Sequence, residues 1–280
     1  MTLSSTLPTT LSEFEYHGWE TLSSNYDDCW GQVTSSFIPT MLVDFPALTG
    51  KRLLDLATGP GYGAGLAAKN GALATGVDFS AQMIAQAKES HPQANFMLGD
   101  AENLPFVDGQ FDLAMSNFGF QHFSDPVQVM NEAARVLKPG GILKFTLWAE
   151  RNRNAASLIL ETALEQFATE PCRIPEGPNY NRLLEETELR MILDGADLYA
   201  ASALVKLHVV PWALRDSDEL FRAELSGSVR SGARLRQESG PSLEKIRQAM
   251  STDIEANYNE NGNWVIPMAA YVISVTKNEQ

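Results

Sequence analysis

Between Lys51 and Trp148, short apolar runs alternate with segments of helical period. The runs are RLLDLA (52–57), ALATGVD (72–78), ANFMLG (94–99), FDLAMS (111–116) and GILKFTLW (141–148). Their near-continuous apolar character is what strands covered on both faces require. Helical patterns fill the gaps. One begins near Tyr62, and one follows Ser80 as N-cap in AQMIAQAKES. A third is PVQVMNEAARVL (126–137), with Pro126 in its first turn and Pro139-Gly140-Gly141 as its stop. Five β–α units in series predict an α/β fold with a doubly wound, mostly parallel sheet.

After Trp148 the pattern changes. RNRNAASLILETALEQFA (151–168) reads as a helix, TEPCRIPEGPNYN (169–181) as a loop with three prolines, and LLEETELRMILDGA (183–196) as another helix. ASALVKLHVVPW (201–212) reads as a long strand. Helices follow around Ser217–Leu225 and Ser242–Asn257, and WVIPMAAYVISVTK (264–277) closes the chain. Joined by a long detour, this last run is expected to lie antiparallel, giving seven strands in all. Segments 155–180 and 213–258 then read as insertions over the carboxyl edge of the sheet, where open α/β sheets bind ligands. The expected organisation is a helical lid over 1–50, a binding core over 51–150, and the rest of the same sheet with a substrate cap over 151–280. The first residues, to about Ser12, read as a frayed tail.

Composition narrows the function. The 280 residues are 44% hydrophobic and carry 21 basic against 35 acidic side chains, a net charge of −14. Nucleic acid and anionic membrane surfaces are poor partners for such a chain, because phosphate contacts need clustered Lys and Arg. Cys29 and Cys172 are far apart, which fits a reducing, cytoplasmic setting without a disulfide framework or metal site. The N-terminus lacks the basic and apolar regions of a signal peptide. No apolar run reaches the roughly 18 residues of a membrane span.

The chemistry concentrates in LLDLATGPGYGAG (53–65), where a strand leads into four glycines. Gly59-Pro-Gly61-Tyr-Gly63-Ala64 matches G-x-G-x-x-A, which lets backbone N–H groups and a helix N-terminus approach a ligand. A tight strand-to-helix turn without a ligand is the alternative reading. Four further features favour a ligand. Asp55 lies inside the strand, where it would repel a pyrophosphate and welcome an ammonium group. Asp78 ends the next strand and is placed for the two hydroxyls of a ribose, although an N-terminal capping role serves it equally well. Asp100 ends the third strand, in reach of an amino group such as that of adenine. Asn117 and Phe118 end the fourth, over the crevice. An amine, a ribose and an adenine without phosphate describe S-adenosylmethionine.

On LLDLATGPG, TGVDFS, GDAENLPF, FDLAMSNFGFQHFSDP and RVLKPGG, residues 51–148 resemble class I S-adenosylmethionine-dependent methyltransferases. The likeness is greatest to the small-molecule branch that includes the ubiquinone and menaquinone C-methyltransferases. The resemblance implies a Rossmann-like fold in which Asp55 and the backbone of Ala57, Thr58, Gly59 and Gly61 hold the methionine part. It implies Asp78 on the ribose, Phe79 and Met83 beside the adenine, Asp100 and Ala101 at the adenine edge, and Asn117 and Phe118 near the sulfonium. One departure is Ala57, where the family usually has glycine.

A methyltransferase needs an acceptor placed in line with the S–CH3 bond and, for some acceptors, a base. Of the four histidines, His122 is the candidate base by position; a hydrogen-bonded residue lining the pocket is the alternative. His91 falls on the wrong side of the sheet, His208 alternates with apolar neighbours as a structural residue would, and His17 lies in the N-terminal helix. Tyr26, Trp30 and Trp148 are the candidate substrate aromatics, so the expected acceptor is a small, apolar or aromatic metabolite, of secondary metabolism among other sources. The basic run RSGARLR (230–236) reads as solvated surface, with a carboxylate site as the alternative. Three other activities remain open: a methyltransferase-like cyclase that keeps the cofactor without transferring its methyl, a nicotinamide-dependent oxidoreductase, and a regulatory partner. The expected assembly is a monomer or homodimer.

Overall fold

A computed structural model describes residues 10–279 except 44, 46 and 179–182. Thr10 caps α1 (Leu11–Tyr26) in a reciprocal box with Glu13, so the helix begins before Ser12, inside the stretch expected to fray; residues 1–9 of that stretch lie outside the described residues. α1 runs into a π-helical turn (Asp27–Gly31), then α2 (Gln32–Ser35) and α3 (Ile38–Val43). The alternating region follows: β1 (Arg52–Leu56), α4 (Tyr62–Lys69), β2 (Leu73–Asp78), α5 (Ala81–Ser90), β3 (Asn95–Leu98), β4 (Phe111–Ser116), α6 (Pro126–Val136) and β5 (Leu137–Trp148). Then come α7 (Ala155–Phe167), α8 (Glu186–Gly195), β6 (Leu198–Leu214), α9 (Glu219–Gly227), α10 (Arg230–Arg236), α11 (Gly240–Asn257), the two-residue β7 (Asn259–Glu260) and β8 (Asn263–Lys277).

The strands form one sheet in the order β3-β2-β1-β4-β5-β8-β6, with β7 paired to β8. β3 to β5 are mutually parallel, and β8 is antiparallel to both its neighbours, β5 and β6. Strand alternation assigns side chains to two cores. Leu53 faces α3, α4 and α5 with Ala74, Leu113 and Met115; Leu54 and Leu56 face α6 and α8 with Val129, Met130 and Leu193. A third core lies over one end of β6 and β8, where α7, α9, α10 and α11 bury Trp30, Phe37, Trp212 and Ile266.

Three expectations change. α6 ends at Val136, before the Pro-Gly-Gly, because Leu137 already turns extended and pairs with Phe111 across a register shift. β6 is longer than expected and lies at the sheet edge. Leu204, Val205, Leu207 and Val209 are exposed along its middle, and His208, read as structural, is half-buried there, while Leu198, Ala200, Trp212 and Leu214 at its ends are buried. The 213–258 insertion holds three helices, and the unexpected one, α10, is the basic run RSGARLR.

Candidate active site

The parallel strands end along one edge of the sheet. The loops leaving β1, β2, β3 and β4, roofed by α1, the π-turn and α7, α9 and α10, enclose a cavity of about 420 Å³. Ala57 and Gly59 reach it from the glycine turn, and Asp78, Phe79 and Met83 from the end of β2. Asp100 and Ala101 reach it from β3, and Asn117, Phe118 and His122 from the β4 loop. Tyr26, Trp30 and Trp148 complete the wall. The cavity therefore gathers most of the residues singled out in the sequence.

Asp55, Thr58 and Gly61 are not part of that wall. Asp55 follows Leu53 in the alternation and so faces α4. Its Oδ2 accepts hydrogen bonds from the Thr58 hydroxyl at 2.7 Å and from Ala64 N–H at 2.8 Å. A helix N-terminus offers free N–H donors, and a buried acid satisfies one here. Burial pushes Asp55 up to about 6 even against these bonds. The glycines serve this packing. A Cβ on Gly63 would meet Asp55 Oδ2 at 2.6 Å, one on Gly61 would meet Phe96 at 2.7 Å, and one on Gly65 would meet His91 at 2.5 Å. Only Gly59 has open space where a side chain would stand, and it is the glycine of the turn that lines the cavity.

Asp78 is 5% exposed and accepts from Gly59 N–H and Ser80 N–H, both at 2.9 Å. Burial pushes it up to about 6, with Glu20 adding to the rise. Its carboxylate joins the glycine turn to the start of α5, which Ser80 caps through Met83 N–H at 3.2 Å. Asp100 is exposed and accepts from Glu102 N–H at 2.9 Å.

Besides Gly59, two non-glycine wall residues have left-handed backbones. Ala57 has φ 50° and Phe118 φ 59°. The first explains why glycine is the usual residue at that position: a β-carbon in this region costs about 1–2 kcal/mol. Phe118 is held there by its N–H bond to Thr146 Oγ1 at 2.7 Å and by stacking on Trp148, with ring centroids 4.0 Å apart. Thr146 also donates to Asn117 Oδ1 at 3.0 Å, while Asn117 Nδ2 donates to Thr34 O at 2.9 Å. The loop tip is thus clamped between β5 and α2.

The site also contains a residue with no sequence signal. Glu15 on α1 is fully buried, and its carboxylate takes Trp19 Nε1 at 3.1 Å, His122 Nδ1 at 3.1 Å and Arg230 Nε. Burial alone would raise its pKa, but His122 and Arg230 outweigh burial and hold it below the usual carboxylate range. Arg230 is therefore not solvated surface; its side chain is 22% exposed and lines the cavity. Arg234, one turn on, pairs with Glu161 at 3.1 Å in the same wall. Glu20, also on α1, accepts from Ser80 Oγ at 2.7 Å. Together with Asn154, Ser157 and Glu224, these groups make the cap side of the cavity more polar than the aromatic residues alone implied.

The strand order and the edge cavity together are those of a class I S-adenosylmethionine-dependent methyltransferase. Residues 54–145 match a family described as a methyltransferase domain. A demethylmenaquinone methyltransferase of Beutenbergia cavernae is 33% identical over 198 residues, 69% of this chain and 75% of that one. Among solved structures, the [4+2]-cyclase SpnF superposes with a TM-score of 0.59 at 18% identity, covering 97% of this chain and 98% of the other. A phosphoethanolamine N-methyltransferase of Haemonchus contortus, solved with S-adenosylhomocysteine, superposes with a TM-score of 0.54 at 19% identity, covering 97% and 61%. The chain belongs to the S-adenosylmethionine-dependent methyltransferases, in the branch of the menaquinone and ubiquinone enzymes. Its cofactor is S-adenosylmethionine. Among the described residues no helix is long and apolar enough to cross a membrane.

Proposed function

We propose that the protein methylates a small metabolite that carries an aromatic or otherwise flat apolar portion and polar substituents. The observation that carries this reading is the shape of the wall. One end has the half-buried Gly59, with open space where a side chain would stand, beside a buried carboxylate, Asp78, with Phe79 and Met83 alongside. Elsewhere the wall carries Trp30 and Trp148, with ring centroids 6.3 Å apart, together with Asn154, Ser157 and Glu161, while Tyr26 is close enough to Asp78 to feel its charge. The first end suits the nucleoside of S-adenosylmethionine: Asp78 accepts from ribose hydroxyls, Phe79 and Met83 flank the adenine, and Asp100 and Ala101 meet its edge. The methionine part lies along the Ala57–Gly61 backbone near Asn117 and Phe118, and Asp55 acts indirectly by fixing that turn. The part with Trp30 and Trp148 takes the acceptor.

The cofactor supplies an electrophilic methyl on its sulfonium. The chain's own residues orient the acceptor, exclude water and receive its proton, for which His122 is placed in the wall. Orientation contributes roughly 7 kcal/mol or more in favourable cases, and a base a further factor of about 10²–10⁴. The test is incubation with methyl-labelled cofactor and a panel of phenols, quinols, acids and amines, read by product mass. Gain of one methyl supports the reading, and tight S-adenosylhomocysteine binding with no methylated product across the panel overturns it. The cyclase alternative predicts instead a product isomeric with its substrate or lighter by water.

A further inference from the structure

We propose that Arg230, Glu15 and His122 form a relay through which the N-terminal helix sets the tautomer of the base, so that the proton acceptor exists only while α1 is seated. The relay rests on the proposed transfer reaction for its use, but not for its existence. Its parts come from three separate elements: Glu15 from α1, His122 from the loop after β4 and Arg230 from α10. The carboxylate at its centre is 0% exposed.

The chemistry follows from which groups hold charge. A buried carboxylate beside a neutral imidazole tends to take up a proton, because burial disfavours the charged form. The guanidinium of Arg230 on the other carboxylate oxygen opposes this and keeps Glu15 ionised. An ionised carboxylate only accepts hydrogen bonds, so the His122 nitrogen facing it, Nδ1, must carry the proton. The lone pair then sits on Nε2. Among the described residues Nε2 has no protein hydrogen-bond partner and is not sealed from solvent, and the ring that carries it lines the cavity. Trp19 donates to the same carboxylate oxygen as His122 and lies edge-on to the ring at 5.0 Å, which fixes its plane. Asp78, from the end of β2, is a further charged group close enough to interact with the ring.

In the step this serves, the proton on the acceptor atom passes to His122 Nε2. The electron pair of that bond stays on the acceptor atom and forms the bond to the methyl carbon, while the sulfur keeps the pair of the broken S–C bond. Glu15 and Arg230 touch neither reactant; they are positioning residues. Basic residues in RSGARLR thereby gain a role that surface solvation does not provide.

The test is nitrogen-15 NMR of histidine-labelled protein with S-adenosylhomocysteine bound, the His122 signals being identified by their loss in His122→Gln. Wild type is expected to show a protonated Nδ1 and an unprotonated Nε2. Glu15→Gln presents an amide that can donate to Nδ1, and is expected to move the proton to Nε2 in a substantial fraction of molecules. Where a methyl acceptor is in hand, the same variant lowers kcat by at least about ten-fold, with KM for the cofactor within roughly three-fold and Glu15→Asp restoring part of the loss. If Glu15→Gln does not fold, Arg230→Gln carries the same readout, since loss of the cation lets Glu15 protonate and donate to Nδ1. Wild type with Nε2 protonated, or a tautomer unmoved by both substitutions, overturns the relay. The expected tautomer shift in a protein that methylates nothing leaves the relay standing and removes the transfer reaction instead.

Discussion

Asp55 and Asp78 are kept from water with no cation hydrogen-bonded to either among the described residues, and burial raises each to about 6 from an ordinary value of 3.8. Between those two values the folded chain holds protons that the unfolded chain has lost. Stability therefore falls as pH rises through that window, and the penalty is complete above the folded value. For Asp55, which serves packing, Asn keeps the acceptor and removes the charge. Asp55→Asn is expected to gain stability relative to wild type between about pH 4 and about pH 7.5, by on the order of 2 kcal/mol. Urea unfolding at the two pH values checks this, and a pH-independent difference refutes it. Ala57 carries the other local strain. Ala57→Gly relieves a left-handed β-carbon but adds unfolded-chain entropy, so a net gain of roughly 0.5 kcal/mol is expected in the same measurement. Most of the site residues read from the sequence lie on the wall, because strand ends and a glycine turn mark a sheet edge; the residues that α7, α9 and α10 bring to it were not legible. Asp55 lies off the wall because its position in the alternation, and not its chemistry, decides which face it meets.

At the scale of elements, the N-terminal helix is more than a cover. Gly18 packs against Val229, where a Cβ would come within 2.5 Å of the valine side chain, so α1 lies directly on the cap. Glu20 ties its middle to the start of α5 through Ser80 Oγ and Gln82 N–H, and the Tyr62 hydroxyl ties the π-turn to α4 through Asp27. These are polar contacts across the interface between the N-terminal helices and the sheet edge, and this interface is expected to part when cofactor enters or leaves. Glu20→Ala is expected to speed S-adenosylhomocysteine release several-fold while changing overall stability by less than about 1 kcal/mol, as for other part-exposed contacts. Stopped-flow tryptophan fluorescence, with Trp19 on the same helix, measures the rate; an unchanged rate would mean the helix is not the gate. The helix itself and Tyr26 at its end were legible, but Glu15 was not. A single acid among EFEYHGWE carries no mark of burial until Arg230, 215 positions away, arrives beside it.

The whole molecule divides into two cores that flank the sheet and one that belongs to the cap, with the cavity between sheet edge and cap. A ligand at such a junction stabilises the parts it touches jointly. S-adenosylhomocysteine at about 100 times its Kd is expected to stabilise the protein by about 2.7 kcal/mol. Hydrogen exchange is expected to slow in α1, the glycine turn and the start of α5, and far less in α11. Protection spread evenly over the chain, or confined to α11, would place the ligand elsewhere.

From its apolar runs and turns the sequence determined the parallel half of the sheet and the carboxyl edge where its loops gather, because those depend on local periodicity and on short connections; the direction of the closing strand followed from the long detour before it. Tertiary structure alone decided which acids face the cavity, that β6 is an exposed edge, and that Glu15, His122 and Arg230 share one buried carboxylate. Those outcomes depend on contacts between residues far apart in the chain, whose energies exist only once the elements have packed.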